Sequence, residues 1–174
     1  MPFTPYHFGP SAFIGLVFRK WLDIPVLVLA NVIVDVEALV IHLFRLGYPS
    51  HRYCHTLLIG AVLGLLWGAS AYPLRHLFKW LMQILRIPYQ TGFWKMLISG
   101  VLGVWLHVLI DSIYHWDIMA FWPSHARLPH RLLNPQQVEV VCLAFFAAAI
   151  IVYMIMLILS YKSKTDRTGE KKHN

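Results

Sequence analysis

Long apolar runs separated by short polar breaks make up most of the chain. These runs lie at residues 24–44, 51–73, 96–116 and 135–159. A helix needs about 20 predominantly apolar residues to cross the hydrocarbon core of a bilayer, and each run meets that length. The pattern therefore predicts an all-α fold, a polytopic membrane helical bundle with about four to five transmembrane or half-membrane helices.

A shorter apolar run at residues 11–18 ends at the basic pair 19–20 and is too short to span a bilayer. Two interpretations of this region are open. Residues 24–44 form one full span with buried acids, or two short helices form a hairpin with the basic pair at its tip. We favour the hairpin because it returns Asp35 to the side of the membrane where His7 begins.

Capping residues precede three of the runs. Asp23 stands before Ile24-Pro25, Ser50 before residue 51, and Asn134 before Pro135. Short polar side chains followed by proline or by an apolar run are typical of helix N-termini, so we expect helices to begin at these positions. Residues 74–95 mix apolar and basic side chains, which predicts an amphipathic helix at the membrane surface.

Composition supports the membrane assignment and suggests an orientation. Hydrophobic residues make up 58% of the chain and charged residues 13%, and the net charge is +7. Two basic residues at the hairpin tip, four in 74–95 and five near the C-terminus lie on one side, against four on the other. The positive-inside rule then places the C-terminus in the cytoplasm. We expect one membrane domain over 1–161 and a basic, disordered cytoplasmic tail over 162–174.

Ionisable side chains interrupt the run at 96–116 in a regular pattern. His107, Asp111 and His115 are spaced i, i+4 and i+8, so on a continuous helix they lie along one face. A charge at the centre of a membrane helix costs roughly 2.5–3.5 kcal/mol on insertion scales. Imidazole and carboxylate groups on successive turns are ligands that a zinc-like ion prefers. A helix-packing role for Asp111 is the alternative, but the same run offers it no Lys or Arg partner.

Further candidate ligands lie in the other runs, and together they predict a divalent metal site. Asp35 and Glu37 interrupt residues 24–44, while His51 and His55 have the i, i+4 spacing of two ligands on one helix. A solvated Glu37, an interfacial His51 and His55 pair and a solvated His115 are the alternatives. The candidate metal ligands are His7, Asp35, Glu37, His51, His55, His107, Asp111 and His115.

The order of these motifs resembles the YdjM-like, LexA-regulated family of membrane-bound metal-dependent hydrolases of bacteria. The matching segments span roughly residues 5–125. They are Pro5-Tyr6-His7, Asp35-Val36-Glu37, His51-Arg52-Tyr53-Cys54-His55-Thr56, His107-Val108-Leu109-Ile110-Asp111-Ser112 and Trp122-Pro123. That family is in turn similar to the zinc-dependent phospholipase C and P1 nuclease group, whose multi-zinc sites hydrolyse phosphoesters.

The resemblance implies a bacterial inner-membrane hydrolase that contains zinc, with manganese as the second choice. It implies that His7, Asp35, His51 or His55, His107 and Asp111 are ligands, and that Asp111 bridges the ions. We expect Asp111 and Asp35 to act in catalysis and Arg52 to steady a phosphate oxygen. A site at the outer interface suggests a membrane lipid or lipid-linked phosphoester as substrate.

Three other functions are compatible with parts of this pattern. A metal-ion or proton transporter would place polar residues at several depths, whereas here they cluster at one end and the last run is almost featureless. A haem protein would use two facing histidines but would have no need of Asp35 or Asp111. A structural role would not explain why the chain buries acidic side chains, which costs free energy. Nucleic acid is an improbable partner because no aromatic motif accompanies the basic residues.

Overall fold

The computed structural model describes residues 4–47, 53–113, 115–124, 126 and 132–170, and in these ranges the regular secondary structure is entirely helical. Four segments are long and apolar enough to cross a membrane. They are Ile24–Leu43, Leu57–Ile84, Phe93–Ser112 and Pro135–Lys162. The predicted all-α bundle is confirmed, and its length and composition fit an integral membrane protein. The helices are α1 (Phe8–Val17), α2 (Ile24–Leu43), α3 (Leu57–Ala71), α4 (Arg75–Ile84), α5 (Phe93–Ser112) and α6 (Pro135–Glu170).

The N-terminal region forms a helical hairpin of unequal arms. A short 3₁₀ turn, Thr4–His7, leads into α1, and α1 packs against α2 beyond the connection at residues 18–23. The Asp23 side chain accepts a hydrogen bond from the backbone N–H of Val26 at 3.3 Å, as expected for a helix cap. The structure combines the two interpretations. Helices α1 and α2 pack as a hairpin, but α2 is a continuous 20-residue helix long enough to be a full span, as the alternative interpretation held.

The closest helix pair is α3 and α5, and glycines allow their approach. Gly60, Gly64 and Gly68 recur every four residues on α3 and are all buried. A Cβ on Gly100 of α5 would collide with the carbonyl oxygen of Gly64. Small residues at this spacing let two membrane helices pack backbone to backbone.

Helix α3 begins later than the sequence predicted. Its first residue is Leu57, and the Thr56 side chain caps it by accepting from the N–H of Ile59 at 3.1 Å. His55 therefore lies in a turn before the helix, not on its first turn. The cause is tertiary, since the Glu37 carboxylate accepts from the backbone N–H groups of Tyr53 and Cys54, both at 3.0 Å. The predicted cap Ser50 and residues 51–52 lie outside the described residues.

The remaining helices differ from the prediction in their bounds. The amphipathic helix predicted over 74–95 ends at Ile84, and α5 begins at Phe93 rather than at residue 96, because Pro88 and Gly92 interrupt the segment between them. Helix α4 buries Phe78 and Met82 and exposes most of its other residues, as an amphipathic surface helix should. Asn134 and Gln137 exchange side-chain to backbone hydrogen bonds at 2.9 and 2.8 Å at the start of α6, which is a capping box. Helix α6 then continues to Glu170, and no proline interrupts the chain after Pro135. The sequence predicted disorder from residue 162.

Candidate metal centre

Four ionisable side chains from three parts of the fold converge at one end of the bundle. Asp35 comes from α2, His107 and Asp111 from successive turns of α5, and His55 from the turn before α3. One ligand atom from each lies within 4.8 Å of all the others. The sequence-predicted pairing of His107 with Asp111 on one helix face is therefore joined by two residues that are distant in the chain.

Two of the distances within this group are close to the spacing of ligands around a small metal ion, and the others are longer. Nε2 of His107 lies 3.2 Å from Asp35 Oδ1 and 3.2 Å from Asp111 Oδ2, and Nε2 of His55 lies 3.8 Å from Asp35 Oδ1. Zinc holds nitrogen and oxygen ligands at about 2.0–2.2 Å, so ligands at the corners of a tetrahedron are about 3.3–3.6 Å apart. The four groups can therefore bind one ion with small side-chain movements.

Three of the four ionisable side chains are buried to a degree that is unusual for such groups. The side chains of His55 and His107 are 0% exposed and that of Asp111 is 4% exposed, whereas that of Asp35 is 27% exposed. Among the described residues, Nδ1 of His107 has no hydrogen-bond partner, and Nε2 lies 3.2 Å from the Asp35 and Asp111 carboxylates without hydrogen-bond geometry. A buried polar atom without a partner normally costs about 1–3 kcal/mol. The residues fit a bound cation, which would satisfy Nε2 of His107 and offset the carboxylate charges.

Glu37 orients His55. Its carboxylate oxygen lies 3.4 Å from Nδ1 of His55, and because an ionised carboxylate can only accept, Nδ1 must carry the proton. Nε2 is then the nitrogen available to an ion. Burial lowers the pKa of His55, but the neighbouring carboxylates of Asp35 and Glu37 outweigh it, so the net shift is upward. Burial and the same Glu37 carboxylate raise the pKa of the Cys54 thiol to about 11, so Cys54 stays a protonated thiol.

His7, which directly precedes α1, contacts the group but is not one of its four residues. Its Nε2 donates to Oδ1 of Asp111 at 2.8 Å, and its ring stacks on that of His107 with centroids 4.4 Å apart. The hairpin thus brings His7 to the candidate site, but His7 contacts Asp111, which is one of the candidate ligands. Glu37 behaves in the same way toward His55. Both predicted ligands are positioned as supports for the four central residues.

One other predicted ligand among the described residues, His115, is not part of the group. His115 follows the end of α5 at Ser112, so the i+8 spacing no longer places it on the shared face. Its Nδ1 instead lies 3.8 Å from Oδ1 of Asp117. His51 and Arg52 lie outside the described residues.

A second polar layer, which the sequence interpretation did not identify, lies one helical turn from the group. Asn31 precedes Asp35 by four residues on α2, and Ser11 follows His7 by four on α1. Asn31 Nδ2 donates to Ser11 Oγ at 2.9 Å, and both residues are 0% exposed. The i, i+4 spacing to two predicted ligands was the available signal. Hydrogen-bond partners of candidate ligands commonly tune a metal site.

Beyond that layer the bundle is closed by apolar packing. Leu27, four residues before Asn31, is 1% exposed. A Cβ on Gly103 of α5 would lie 2.5 Å from the Leu27 carbonyl oxygen, so backbone meets backbone there. Asp23 lies beyond this layer and is bound by Tyr89 and Thr91 hydroxyls at 2.6 and 2.5 Å. Apolar packing therefore separates the polar group from Asp23.

Comparisons with models of known families, with curated proteins and with solved structures gave no match to this chain. Fold and site define the class instead: an all-helical protein with four candidate membrane spans and a buried Asp and His group able to hold a metal ion.

Proposed function

We propose that the protein is a membrane-bound, metal-dependent hydrolase that acts on a phosphoester of a lipid or lipid-linked substrate. The observation that carries the proposal is the convergence of Asp35, His55, His107 and Asp111 at ligand spacing inside the helical bundle. Zinc suits this mixed imidazole and carboxylate set best, with manganese as the alternative. The resemblance of the motifs to the YdjM-like hydrolases supports the same chemistry.

A divalent ion bound here would supply Lewis-acid chemistry, polarising a phosphoryl oxygen and acidifying a bound water. The protein's own residues supply geometry. His7 fixes Oδ1 of Asp111, which leaves Oδ2 facing the group, and Glu37 fixes the ring of His55. Asp35, on the exposed side, is placed to accept a proton from the attacking water as the P–O ester bond breaks and the proton passes to the leaving alcohol. Arg52 remains a proposed phosphate contact.

The surroundings of Asp35 favour an apolar substrate. Val32 and Leu39, at i−3 and i+4, share a face of α2 with Asp35 and are 40% and 55% exposed. Eight further residues follow Asp35 before α2 ends at Leu43, which is about 12 Å of helix at 1.5 Å per residue. An ester attached to an acyl or prenyl chain would reach this depth more readily than a hydrated one. We place the site at the outer face of a bacterial inner membrane, with the C-terminus cytoplasmic.

Transport of a metal ion or of protons is the second candidate, because the polar layers continue from the site to Asn31 and Ser11. The closed packing of Leu27 against Gly103 argues against an open path. In proteoliposomes, a transporter would accumulate zinc or protons inside, and a hydrolase would release phosphate or a phosphorylated headgroup without doing so.

The first test is metal content by elemental mass spectrometry on protein purified in detergent. We expect about one zinc per chain in the wild type and loss of the ion in His107→Ala and Asp111→Asn. His76→Ala, which removes an exposed histidine of α4, is the matched control and should retain the ion. Metal-free wild type that also fails to bind added zinc or manganese would remove the chemical basis of the proposal.

The second test is activity on vesicles of phospholipid, monitored as release of phosphate or headgroup. Turnover should depend on added metal and vanish in the two site variants. Metal retention with no turnover on any phosphoester lipid would leave a metal protein that is not a hydrolase of this class.

A further inference from the structure

The four members of the candidate metal-binding group differ in how deeply they are buried. Asp111 is fixed by His7 at 2.8 Å, His55 by Glu37 at 3.4 Å, and His107 is packed between the ring of His7 and the core. These three side chains are 0–4% exposed. Asp35 is the most exposed of the four, with 27% of its side chain exposed.

The number of protein ligands decides what a zinc site can do. Structural sites are closed by four protein ligands, whereas catalytic sites keep three and leave the fourth position to water or substrate. A site that held all four residues permanently would have no position for a phosphoryl oxygen. The proposed hydrolase therefore requires one of the four to give way.

We propose that Asp35 is the exchangeable member. His55, His107 and Asp111 hold the ion, and Asp35 occupies the position that water or a phosphoryl oxygen takes during turnover. This inference rests on the proposed function, because an exchangeable position has a purpose only where a ligand must enter.

Geometry favours Asp35 over the other three. Its Oδ1 is 3.2 Å from Nε2 of His107 but 3.8 Å from Nε2 of His55, and the second separation exceeds the roughly 3.3–3.6 Å between ligands of one tetrahedral ion. A shift of Asp35 away from the ion needs no repacking of the core, because its side chain already borders the exposed face of α2. The same shift in the other three would open a buried cavity.

The substrate should therefore arrive along the face of α2 that Val32 and Leu39 flank. Both side chains are apolar and exposed, and they lie one turn to either side of Asp35. A phosphoester would present its phosphoryl oxygen to the position that Asp35 vacates, with its apolar chain against these residues.

The experiment compares two carboxylate-to-amide variants, Asp35→Asn and Asp111→Asn, loaded with cobalt(II) as a visible reporter of coordination. We expect Asp35→Asn to weaken cobalt binding less than about 100-fold, as loss of a supporting contact does. Asp111→Asn should weaken it by more than that. Glu139→Gln, on α6 outside the group, serves as the control for loss of an acidic charge, and circular dichroism establishes that each variant is folded.

The second measurement adds inorganic phosphate to the cobalt-loaded proteins. Phosphate should change the visible spectrum of the wild type, and it should do so at lower concentration in Asp35→Asn because the competing carboxylate is gone. Equal loss of cobalt from both variants, or a spectrum that phosphate leaves unchanged, would overturn the inference and indicate a closed structural site.

The outcomes separate this inference from the proposed function. Cobalt binding with a phosphate-sensitive spectrum but no lipid hydrolysis would support the exchangeable position and contradict the hydrolase. Lipid hydrolysis with equal loss of cobalt from both variants would do the reverse. Wild type that binds no cobalt would overturn both.

Discussion

Glu37 should control metal affinity without being a ligand. Its carboxylate accepts from two backbone N–H groups and from Nδ1 of His55, and its side chain is 15% exposed. In Glu37→Gln the amide retains one acceptor oxygen. Its NH₂ group replaces the other oxygen and, being a donor, cannot accept a hydrogen bond from an N–H group. At least one charge-assisted hydrogen bond is lost, which is worth about 1.5–3 kcal/mol.

Part of that loss should be measured as metal affinity. Without this contact the ring of His55 is less firmly held with Nε2 toward the ion, and loss of such a supporting contact usually costs 10- to 100-fold in metal binding. Because each factor of ten is 1.4 kcal/mol, this range is about 1.4–2.8 kcal/mol and agrees with the hydrogen-bond value. Titration calorimetry with zinc in detergent measures it directly.

Two controls make the Glu37 prediction specific. Glu139→Gln, the same change on α6, should leave the zinc Kd within about threefold of wild type, since Glu139 is not one of the residues grouped at ligand spacing. His55→Ala should lose far more than Glu37→Gln, because it removes a donor to the ion. A Glu37→Gln protein with wild-type affinity would refute the supporting role, and one as weak as His55→Ala would show that Glu37 is itself a ligand.

Three other predictions follow from the packing and the charges. Gly100→Ala should destabilise the protein by about 1–3 kcal/mol because its Cβ strikes a carbonyl of α3. Thermal unfolding should show no such loss for Gly15→Ala within α1, where a Cβ meets only side chains, at 3.4 Å or more. Cys54, with a pKa of about 11, should react with iodoacetamide at pH 8 far more slowly than unfolded protein does, and Glu37→Gln should speed the reaction. The raised pKa of His55 stabilises the metal-free fold below the unfolded value of about 6.5 and loses that effect as pH rises through the folded value. Melting temperatures without metal should therefore fall as the pH rises above about 6.5, and added zinc should remove the fall; a rise without metal would contradict the assignment.

Local signals were sufficient for most of the fold. The length of the apolar runs gave the spans, and Asp23 and Asn134 gave two helix starts, because capping depends on the few residues that follow. The start of α3 could not be found this way. It depends on Glu37, which lies 16 residues before Tyr53 and holds the turn through tertiary hydrogen bonds.

The candidate site was predictable where two ligands share a helix and less so elsewhere. His107 and Asp111 follow from i, i+4 spacing alone. His115 fails the same rule because α5 ends before it. Whether His7 and Glu37 join the central group or only contact its members depends on small distances between helices. The spacing of residues along the sequence does not contain those distances.

Helix α6 contributes none of the four candidate ligands, yet it bears on the candidate site through α1. Gly9 of α1 lies so close to α6 that a Cβ there would meet the backbone at Cys142 and Phe146. His7 directly precedes α1, and its Nε2 donates to Oδ1 of Asp111. A side chain at position 9 that pushes α1 away from α6 should therefore displace His7 and weaken this hydrogen bond, although no candidate ligand is changed.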